Sequence, residues 1–202
     1  YRTMRAIGAC KDAQATEFLV SKGLRQSHPL IREGVAEALG WIKDKSVTAQ
    51  ILKALDRAKK EYKASLCSAL GWIRDEAALE ALLEAFDDRD WKVRVRALES
   101  VWKIDASRAA EIVAEAAKDK AYQVRMKAAE YWPAIDKTAA SAGLGDLAKD
   151  KDWRVRFSVI QATEELRTRE CIGWLVSLLG SEEGRLRWDV LMALHSLTGK
   201  DL

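Results

Sequence analysis

The sequence contains little of several residues that usually accompany cofactor sites or secreted folds. Its 202 residues include two histidines, three cysteines and two prolines. No apolar run approaches the roughly 20 residues needed to cross a bilayer, and no signal peptide precedes the first helical pattern. The cysteines are odd in number and form no CxxC pair, so we expect reduced thiols instead of disulfides or zinc ligands. These absences favour a cytoplasmic protein with no cofactor.

Charged residues are abundant but balanced. The chain has 34 basic and 31 acidic side chains, and the two signs are interleaved instead of forming blocks. Such a distribution produces no strong field for nucleic acid, so any electrostatic site is expected to be local. With 49% hydrophobic residues, the chain is apolar enough to form a sizeable core.

A step of 31 residues organises the whole chain. One position recurs at this spacing, and each time a basic residue follows it: Ile31, Tyr62, Val93, Val124, Val155 and Leu186. A period between 20 and 50 residues that covers most of a chain is typical of a solenoid, in which each unit buries its apolar face against its neighbours. The step therefore predicts the architecture, but it does not identify a function.

Each repeat reads as a pair of helices. Apolar positions follow the recurrent residue at steps of four, four and three, which is the period of a helix. This inward stripe includes Trp132, and Cys67 lies at another predicted core position. Other apolar stretches lie between the stripes, and the aspartates that open them are interpreted as N-caps: Asp44, Asp75, Asp105 and Asp136.

The turn before the second helix carries a motif. In three copies an aspartate stands six residues before an arginine: Asp88 and Arg94, Asp119 and Arg125, Asp150 and Arg156. Two second helices end with the sequence Ala-Leu-Gly-Trp-Ile, a basic residue and Asp, at residues 38–44 and 69–75. These motifs resemble the HEAT repeat, particularly the short bacterial kind related to phycobilisome lyase subunits. The resemblance covers essentially the whole chain.

The resemblance implies an all-α fold, a right-handed α-solenoid of about six and a half two-helix repeats that form a single domain over residues 1–202. The first repeat is a lone second helix, because Asp12 takes the N-cap position and Tyr1 stands in mid-pattern. We expect an excised fragment that lacks its first outer helix, with any targeting segment outside it. The repeats are predicted at about 1–11, 12–43, 44–74, 75–104, 105–135, 136–166 and 167–199.

In HEAT repeats the turn aspartate and the helix arginine of neighbouring repeats form a ladder, which assigns the three aspartate–arginine pairs to stability. Arg57 and Ser181 occupy the aspartate position in two other copies. We therefore expect the ladder to be interrupted at both places. A further weak point is expected between residues 132 and 146, because Pro133 interrupts a second helix and Gly143 and Gly145 follow in the next helix.

The resemblance also implies that the second helices line a concave face. One column of this face changes from acidic to aromatic along the chain: Glu33, Ala64, Val95, Met126, Phe157 and Trp188. Methionine, aromatic residues and arginine are enriched at interface centres. The partner-binding candidates are Met126, Phe157, Trp188, Met192, Arg154 and Arg185, together with Trp41 and Trp72. The alternative is that the apolar residues fill ridges between helices, and that a further repeat covers Trp188 and Met192.

Aromatic side chains also begin three second helices. Trp91, Tyr122 and Trp153 share a position that Pro29 occupies in an earlier repeat, where proline is favoured. We expect these three rings to clamp adjacent repeats together.

The sequence offers no catalytic constellation. His28 and His195 lie in distant repeats, and no phosphate-binding loop, nucleophile elbow or metal-ligand spacing occurs. Neither histidine is followed by glutamate, unlike the His-Glu pairs of the iron-binding HEAT-repeat hydroxylases. We therefore predict a non-enzymatic protein, a monomer or part of a larger chain, that binds a protein or peptide and no membrane.

Two alternatives rest on the resemblance. A DNA glycosylase-like HEAT cradle would use Arg154 and Arg185 beside aromatic rings to hold nucleic acid. Against it, five carboxylates are expected on the same face and to outweigh its cations: Glu33, Glu37, Glu61, Glu99 and Glu130. The other alternative is a phycobilin lyase or chaperone-like subunit.

Overall fold

The structure is a computed structural model that describes residues 13–58 and 60–199. Within these residues the fold is all-α, as predicted, with twelve α-helices and no strand. No helix in the described ranges has the length and apolarity needed to span a membrane. Helices α1 to α12 are Ala13–Ser21, Pro29–Ile42, Thr48–Asp56, Lys60–Ile73, Leu79–Phe86, Trp91–Ile104, Ala106–Ala116, Tyr122–Ile135, Lys137–Leu147, Trp153–Leu166, Glu170–Ser181 and Gly184–Thr198.

The helices alternate between a first helix, with an odd number, and a second helix, with an even number. They form helical hairpins of the solenoid class, such as α3 with α4 and α9 with α10. The partial first repeat, with Tyr1, Cys10 and Asp12, lies outside the described residues. Its interpretation as a lone second helix therefore stays a prediction.

The chain divides into two compact units, Tyr1–Ala109 and Ala110–Leu202, with the boundary inside α7. In the first unit, α2, α4 and α6 pack side by side, while α3 packs on α4 and α5 on α6. In the second unit, α8, α10 and α12 pack in that order, with α9 against α8 and α10 and with α11 against α12.

The predicted stripe forms the core of each unit. Leu70, Val93 and Val155 are fully buried, and the side chain of Trp132 is 6% exposed. The first helices also bury residues at a position that recurs every 31 residues: Ile51, Leu82, Val113, Leu144 and Leu175. Ile31 departs from the prediction, since it is 40% exposed. In a solenoid, a stripe residue is covered by the second helices of the repeats before and after it. Within the described residues, α2 packs against one such second helix, α4.

Aspartates begin the first helices as predicted. Asp105 accepts a hydrogen bond from the Ser107 amide at 2.8 Å, and Asp136 accepts from the amides of Thr138 and Ala139. Asp44 and Asp75 cap short 3-10 turns that lead into α3 and α5. These bonds satisfy amides that a helix start would otherwise leave without a partner.

Pro133 does not interrupt α8, so that prediction is wrong. The helix continues to Ile135, and the Asp136 amide still donates to the Trp132 carbonyl at 2.9 Å. A proline removes a single backbone hydrogen bond, and the burial of Tyr131, Trp132 and Pro133 keeps the last turn in place. The expected weakness of residues 132–146 stays a prediction that hydrogen exchange would test.

Candidate functional site

The arginine directly after the residue that recurs every 31 positions binds both the turn of its own repeat and the turn of the next repeat. In the second unit, Arg125 donates to the Asp150 carboxylate through Nε at 2.6 Å and Nη2 at 2.9 Å. Its Nη1 donates to the carbonyls of Asp119 and Lys120 at 2.8 and 3.2 Å. The two charged side chains are 9% and 8% exposed. Arg125 therefore links two turns through a largely buried, bidentate ion pair.

The Asp150 carboxylate is held in its charged form. Burial tends to raise its pKa, but the hydrogen bonds from Arg125 and the Asp152 amide lower the pKa below its ordinary value. The Asp152 amide donates to Asp150 at 2.8 Å. Because every contact of this carboxylate lies within the fold, its role is structural.

The ladder extends beyond the place where the sequence predicted an interruption. Arg156 donates through Nε to Glu182 Oε1 and through Nη2 to Oε2 at 3.1 Å. The prediction at Ser181 is wrong, because α11 continues to Ser181 and the next residue supplies the carboxylate. The sequence signal was an acidic residue one place after the expected position.

The first unit shows two variants of the ladder. Lys63 Nζ pairs with Asp88 at 2.9 Å. Where Arg57 replaces the aspartate, Arg32 Nε donates instead to Ser65 Oγ at 3.3 Å. Arg94 donates to the carbonyls of its own turn, like the other ladder arginines.

Acidic side chains on the second helices of the first unit belong to an ion-pair network. Arg96 contacts Glu33 and Glu99 at 2.8 Å each, and Lys103 contacts Glu99 at 2.8 Å. Ser68 donates to Glu33 at 3.2 Å. Burial tends to raise the pKa of Glu99, but hydrogen bonds and charges from Lys103 and Arg96 lower it. The network keeps Glu99 ionised and gives both Glu33 and Glu99 a cation partner.

This network corrects the expected charge of the face. Glu33, Glu99 and Glu130 are all paired, the last with Lys127 at 2.5 Å. The side chain of Glu61 lies outside the described residues. The expected excess of carboxylates over cations was therefore wrong for these three positions, because each has a cation partner: Glu99 and Glu130 on their own helices, and Glu33 through Arg96 of α6.

Trp72 is not the exposed candidate that the sequence predicted. Its side chain is half-buried, and Lys103 Nζ lies 3.8 Å from the ring centroid. A Cβ atom at Gly40 would lie 2.2 Å from Trp72 Cβ, so the glycine allows α2 and α4 to approach closely. Trp41, in contrast, is 43% exposed. Lys103 of the next second helix, α6, covers Trp72. An alignment of the repeats does not show which side chain of a neighbouring helix reaches a given residue.

The aromatic residues that begin second helices behave differently from one another. Arg154 lies over the Tyr122 ring, 3.7 Å from its centroid, and its Nη1 donates to the Tyr122 hydroxyl at 2.9 Å. Asp152 accepts from Arg154 at 2.9 and 2.8 Å, and the hydrogen bond from Arg154 lowers the pKa of Asp152. Trp153 is 58% exposed. Arg154 is thus a contact to the ring of the previous repeat that the sequence did not indicate, and the clamp by Trp153 stays a prediction.

The remaining candidates lie on the second helices of the second unit. Met126, Phe157 and Trp188 occupy one helical position in α8, α10 and α12, and Met192 follows one turn after Trp188. Met126 and Phe157 are half-buried, whereas Trp188 and Met192 are 62% and 50% exposed. These four residues are called the apolar face below. Arg185, also exposed, begins the same helix as Trp188.

Two family profiles match the chain. The profile of HEAT repeats matches residues 48–131, and that of the PBS lyase HEAT-like repeat matches residues 31–57. The chain belongs to the HEAT-repeat family. The matches extend from α2 to α8, and they confirm the predicted resemblance to the short repeats of the phycobilisome lyase type.

Solved structures resemble this HEAT-repeat protein at low sequence identity. The complex of CpcE and CpcF of phycocyanin lyase from Nostoc sp. PCC7120 is 16% identical with a TM-score of 0.56, over 98% of this chain and 88% of that chain. An engineered protein is 16% identical with a TM-score of 0.55, over 91% and 96%. Human deoxyhypusine hydroxylase in complex with glycerol is 15% identical with a TM-score of 0.45, over 98% and 90%. A search of curated proteins found no match.

The two histidines lie in different units. His28 Nδ1 accepts a hydrogen bond from the Leu30 amide at 3.3 Å and caps α2, while His195 is exposed on α12. In the part of the chain that the structure describes, no group of three or more histidine, cysteine or acidic residues is placed to hold a metal ion.

Proposed function

We propose that this HEAT-repeat protein is a non-catalytic scaffold that binds a protein or peptide on the apolar face of its second unit. The observation that carries the proposal is the exposure of Trp188 and Met192, one helical turn apart on α12. Large apolar side chains that cluster on a surface often mark interaction sites, and tryptophan is common among the residues that dominate binding energy.

The surroundings of the apolar face support the same proposal. Phe157 and Met126 continue the face onto α10 and α8, where they are half-buried and therefore held in place by packing. Beside Met126, Lys127 pairs with Glu130, which takes on α8 the position that Met192 takes on α12. An apolar centre with a charged border is the usual arrangement of a protein interface.

The experiment measures the affinity of a captured partner for two truncations and one control. The intact chain would capture binding proteins from its source cells, and titration calorimetry would then give the dissociation constant of each purified partner. Phe157→Ala and Trp188→Ala should each cost about 2 kcal/mol if both residues are hot spots. Val176→Ala truncates an exposed apolar side chain on the first helix α11 of the same unit, outside the apolar face, and should leave the affinity unchanged.

Two outcomes would reject the apolar face as the binding centre. One is a loss below about 0.5 kcal/mol for both truncations, which is the size expected of a residue at the border of an interface. The other is an equal loss for Val176→Ala, which would indicate a general effect on the fold. Circular dichroism of the three variants would show whether each one is folded.

A role as a phycobilin lyase subunit is a second candidate, favoured by the match of residues 31–57 to the PBS lyase HEAT-like repeat. The phycocyanin lyase with a similar fold is itself a complex of two proteins, CpcE and CpcF. Incubation of the chain with a bilin and a phycobiliprotein subunit distinguishes the two candidates. Covalent attachment of the bilin would replace the scaffold proposal with the lyase candidate.

A further inference from the structure

A cavity of about 550 Å³ opens in the first unit among the turn after α1, helix α3 and helix α4. Its apolar wall includes Leu24 and Leu66, which are 2% and 4% exposed, and Tyr62 lies beside them. Small-molecule sites usually have volumes of about 300 to 1,000 Å³. The cavity is therefore large enough for an organic molecule of modest size.

Four basic side chains line the same cavity. Lys22 and Arg25 come from the turn after α1, and Lys53 and Arg57 come from α3 and the residue that follows it. All four are exposed, and none of the described residues in the lining is acidic. Within the described residues, no ion pair joins any of the four to a carboxylate. The cavity therefore combines an apolar wall with uncompensated positive charge.

The second unit contains the corresponding cavity four 31-residue steps later, and there the charges are mixed. Asp150 and Glu182 lie in its wall, and each accepts hydrogen bonds from a ladder arginine. The corresponding residues in the first and second units are Arg25 and Lys149, Gln26 and Asp150, Lys53 and Ser177, Arg57 and Ser181, and Ala58 and Glu182.

This comparison separates the charge of the cavity from its shape. Both cavities arise where the turn of one hairpin meets the first helix of the next. Compared with the cavity of the second unit, the cavity of the first unit lacks both carboxylates and carries two additional cations, Lys53 and Arg57. Like charges held close together repel one another, and a bound anion removes this repulsion. Guanidinium groups also match the geometry of phosphate and carboxylate oxygens.

We propose that the cavity of the first unit binds a small organic dianion, of which a phosphate monoester is the simplest. Its phosphate would be held by the side chains of Arg25, Lys53 and Arg57. Its apolar part would pack on Leu24 and Leu66. The site is independent of the apolar face, because the two lie in different units and share no residue.

Phenyl phosphate is a suitable probe, because it combines a dianion with an apolar ring. Titration of the isotope-labelled chain at low salt, followed by amide chemical shifts, should produce saturable changes confined to residues 20–25 and 50–58. Burial of the ring should make the dissociation constant at least about tenfold lower than that of inorganic phosphate. Phenol, which lacks the charge, should not bind measurably.

Two matched variants test the assignment. Arg57→Asp places at residue 57 the aspartate found at positions 88 and 150, and it should weaken phenyl phosphate binding by at least about tenfold. Lys149→Asp makes the same change in net charge at the corresponding cavity of the second unit, so binding should stay within about twofold. If Arg57→Asp fails to fold, as judged by circular dichroism, Lys53→Gln takes its place with a loss of at least about threefold.

Three results would overturn the proposal. They are the absence of saturable shifts with phenyl phosphate, shifts spread over both units, and equal losses of affinity for the variants of the two cavities. The last two would show attraction by the surface charge of the whole chain instead of binding in a cavity.

Discussion

Single ion pairs in this protein differ widely in their access to water, and this difference determines their contribution to stability. Arg125 and Asp150 are 9% and 8% exposed, whereas Glu80, which contacts Arg108 at 3.0 Å, is 78% exposed. Removal of one partner from a buried pair leaves an uncompensated charge, while exposed pairs contribute little. The pair of Arg125 and Asp150 should therefore contribute more to the free energy of unfolding than the exposed pairs do.

We expect Asp150→Asn to lower the free energy of unfolding by about 3 kcal/mol at pH 7, because Arg125 then stays buried without its counterion. The control Glu80→Ala should change it by less than about 0.5 kcal/mol. Urea denaturation followed by circular dichroism measures both effects. A loss for Asp150→Asn no larger than that of the control would show that the pair is not stabilising.

The same variant has a defined pH dependence. The folded-state pKa of Asp150 lies below its ordinary value of 3.8, so the charged form stabilises the fold above that value. This contribution is lost as the pH falls through the lower folded-state pKa, because Asp150 is then protonated in both the folded and the unfolded chain. The difference between wild type and Asp150→Asn should thus be constant from about pH 7 to pH 5 and should shrink below about pH 4.

At the scale of helices, close packing depends on glycines that intrinsic helix propensity would disfavour. Gly143 lies within α9, and a Cβ atom there would come within 2.0 Å of the Trp132 ring on α8. At Gly173, within α11, an added Cβ atom would meet no atom within 4 Å. The two positions share the same helical context but differ in the space around them.

Replacement of these two glycines by alanine should have opposite effects. Gly173→Ala should raise the free energy of unfolding by up to about 1 kcal/mol, because alanine is the better helix former. Gly143→Ala should lower it by about 1 to 2 kcal/mol, because overpacking against Trp132 exceeds that gain. Thermal denaturation of both variants measures the signs. A stabilising Gly143→Ala would mean that the ring moves aside without cost.

The helices and their buried faces were predictable because apolar residues follow a helical period in every repeat. The fixed step of 31 residues then places the same face of each second helix in the core. Val93, Leu70 and Val155 are buried where the stripe placed them. Helix caps were predictable for a similar reason, since Asp105 and Asp136 stand directly before their helices. Each of these features depends on residues close to one another in the sequence.

Contacts between repeats were less predictable, because a side chain from another helix decides them. Lys103 covers Trp72, and Arg154 contacts the Tyr122 ring. Glu182 replaces the missing turn aspartate because α11 ends at Ser181. A column of aligned residues records which positions correspond but not which long side chain reaches them.

Across the whole molecule, the two units have second-helix surfaces of different chemistry. In the first unit, Glu33, Arg96 and Glu99 compensate one another in an ion-pair network. In the second unit, the same columns expose Trp188 and Met192. The slow change of residue type along the 31-residue step thus separates a polar surface from an apolar one, and the apolar one is where we propose that a partner binds.

Cooperativity between the units is a prediction of the sequence that buried thiols can test. Cys67 in the first unit and Cys171 in the second are both fully buried. Burial raises the pKa of the Cys67 thiol to about 12, and thiol reagents react with the thiolate. Each cysteine should therefore resist labelling until its own unit opens. Cys10 lies outside the described residues, so Cys10→Ala serves as the background of both variants.

The sequence predicts a single domain of coupled repeats, so both cysteines should become reactive at the same urea concentration. Added Cys171→Ala leaves Cys67 as the reporter of the first unit, and added Cys67→Ala leaves Cys171 as the reporter of the second. A short labelling pulse across a urea series gives the two midpoints, and circular dichroism of each variant gives its overall transition for comparison. Nearest-neighbour coupling through every repeat makes each labelling midpoint coincide with that transition. If one cysteine reacts well before its variant's transition, the two units unfold separately and the single-domain prediction is wrong.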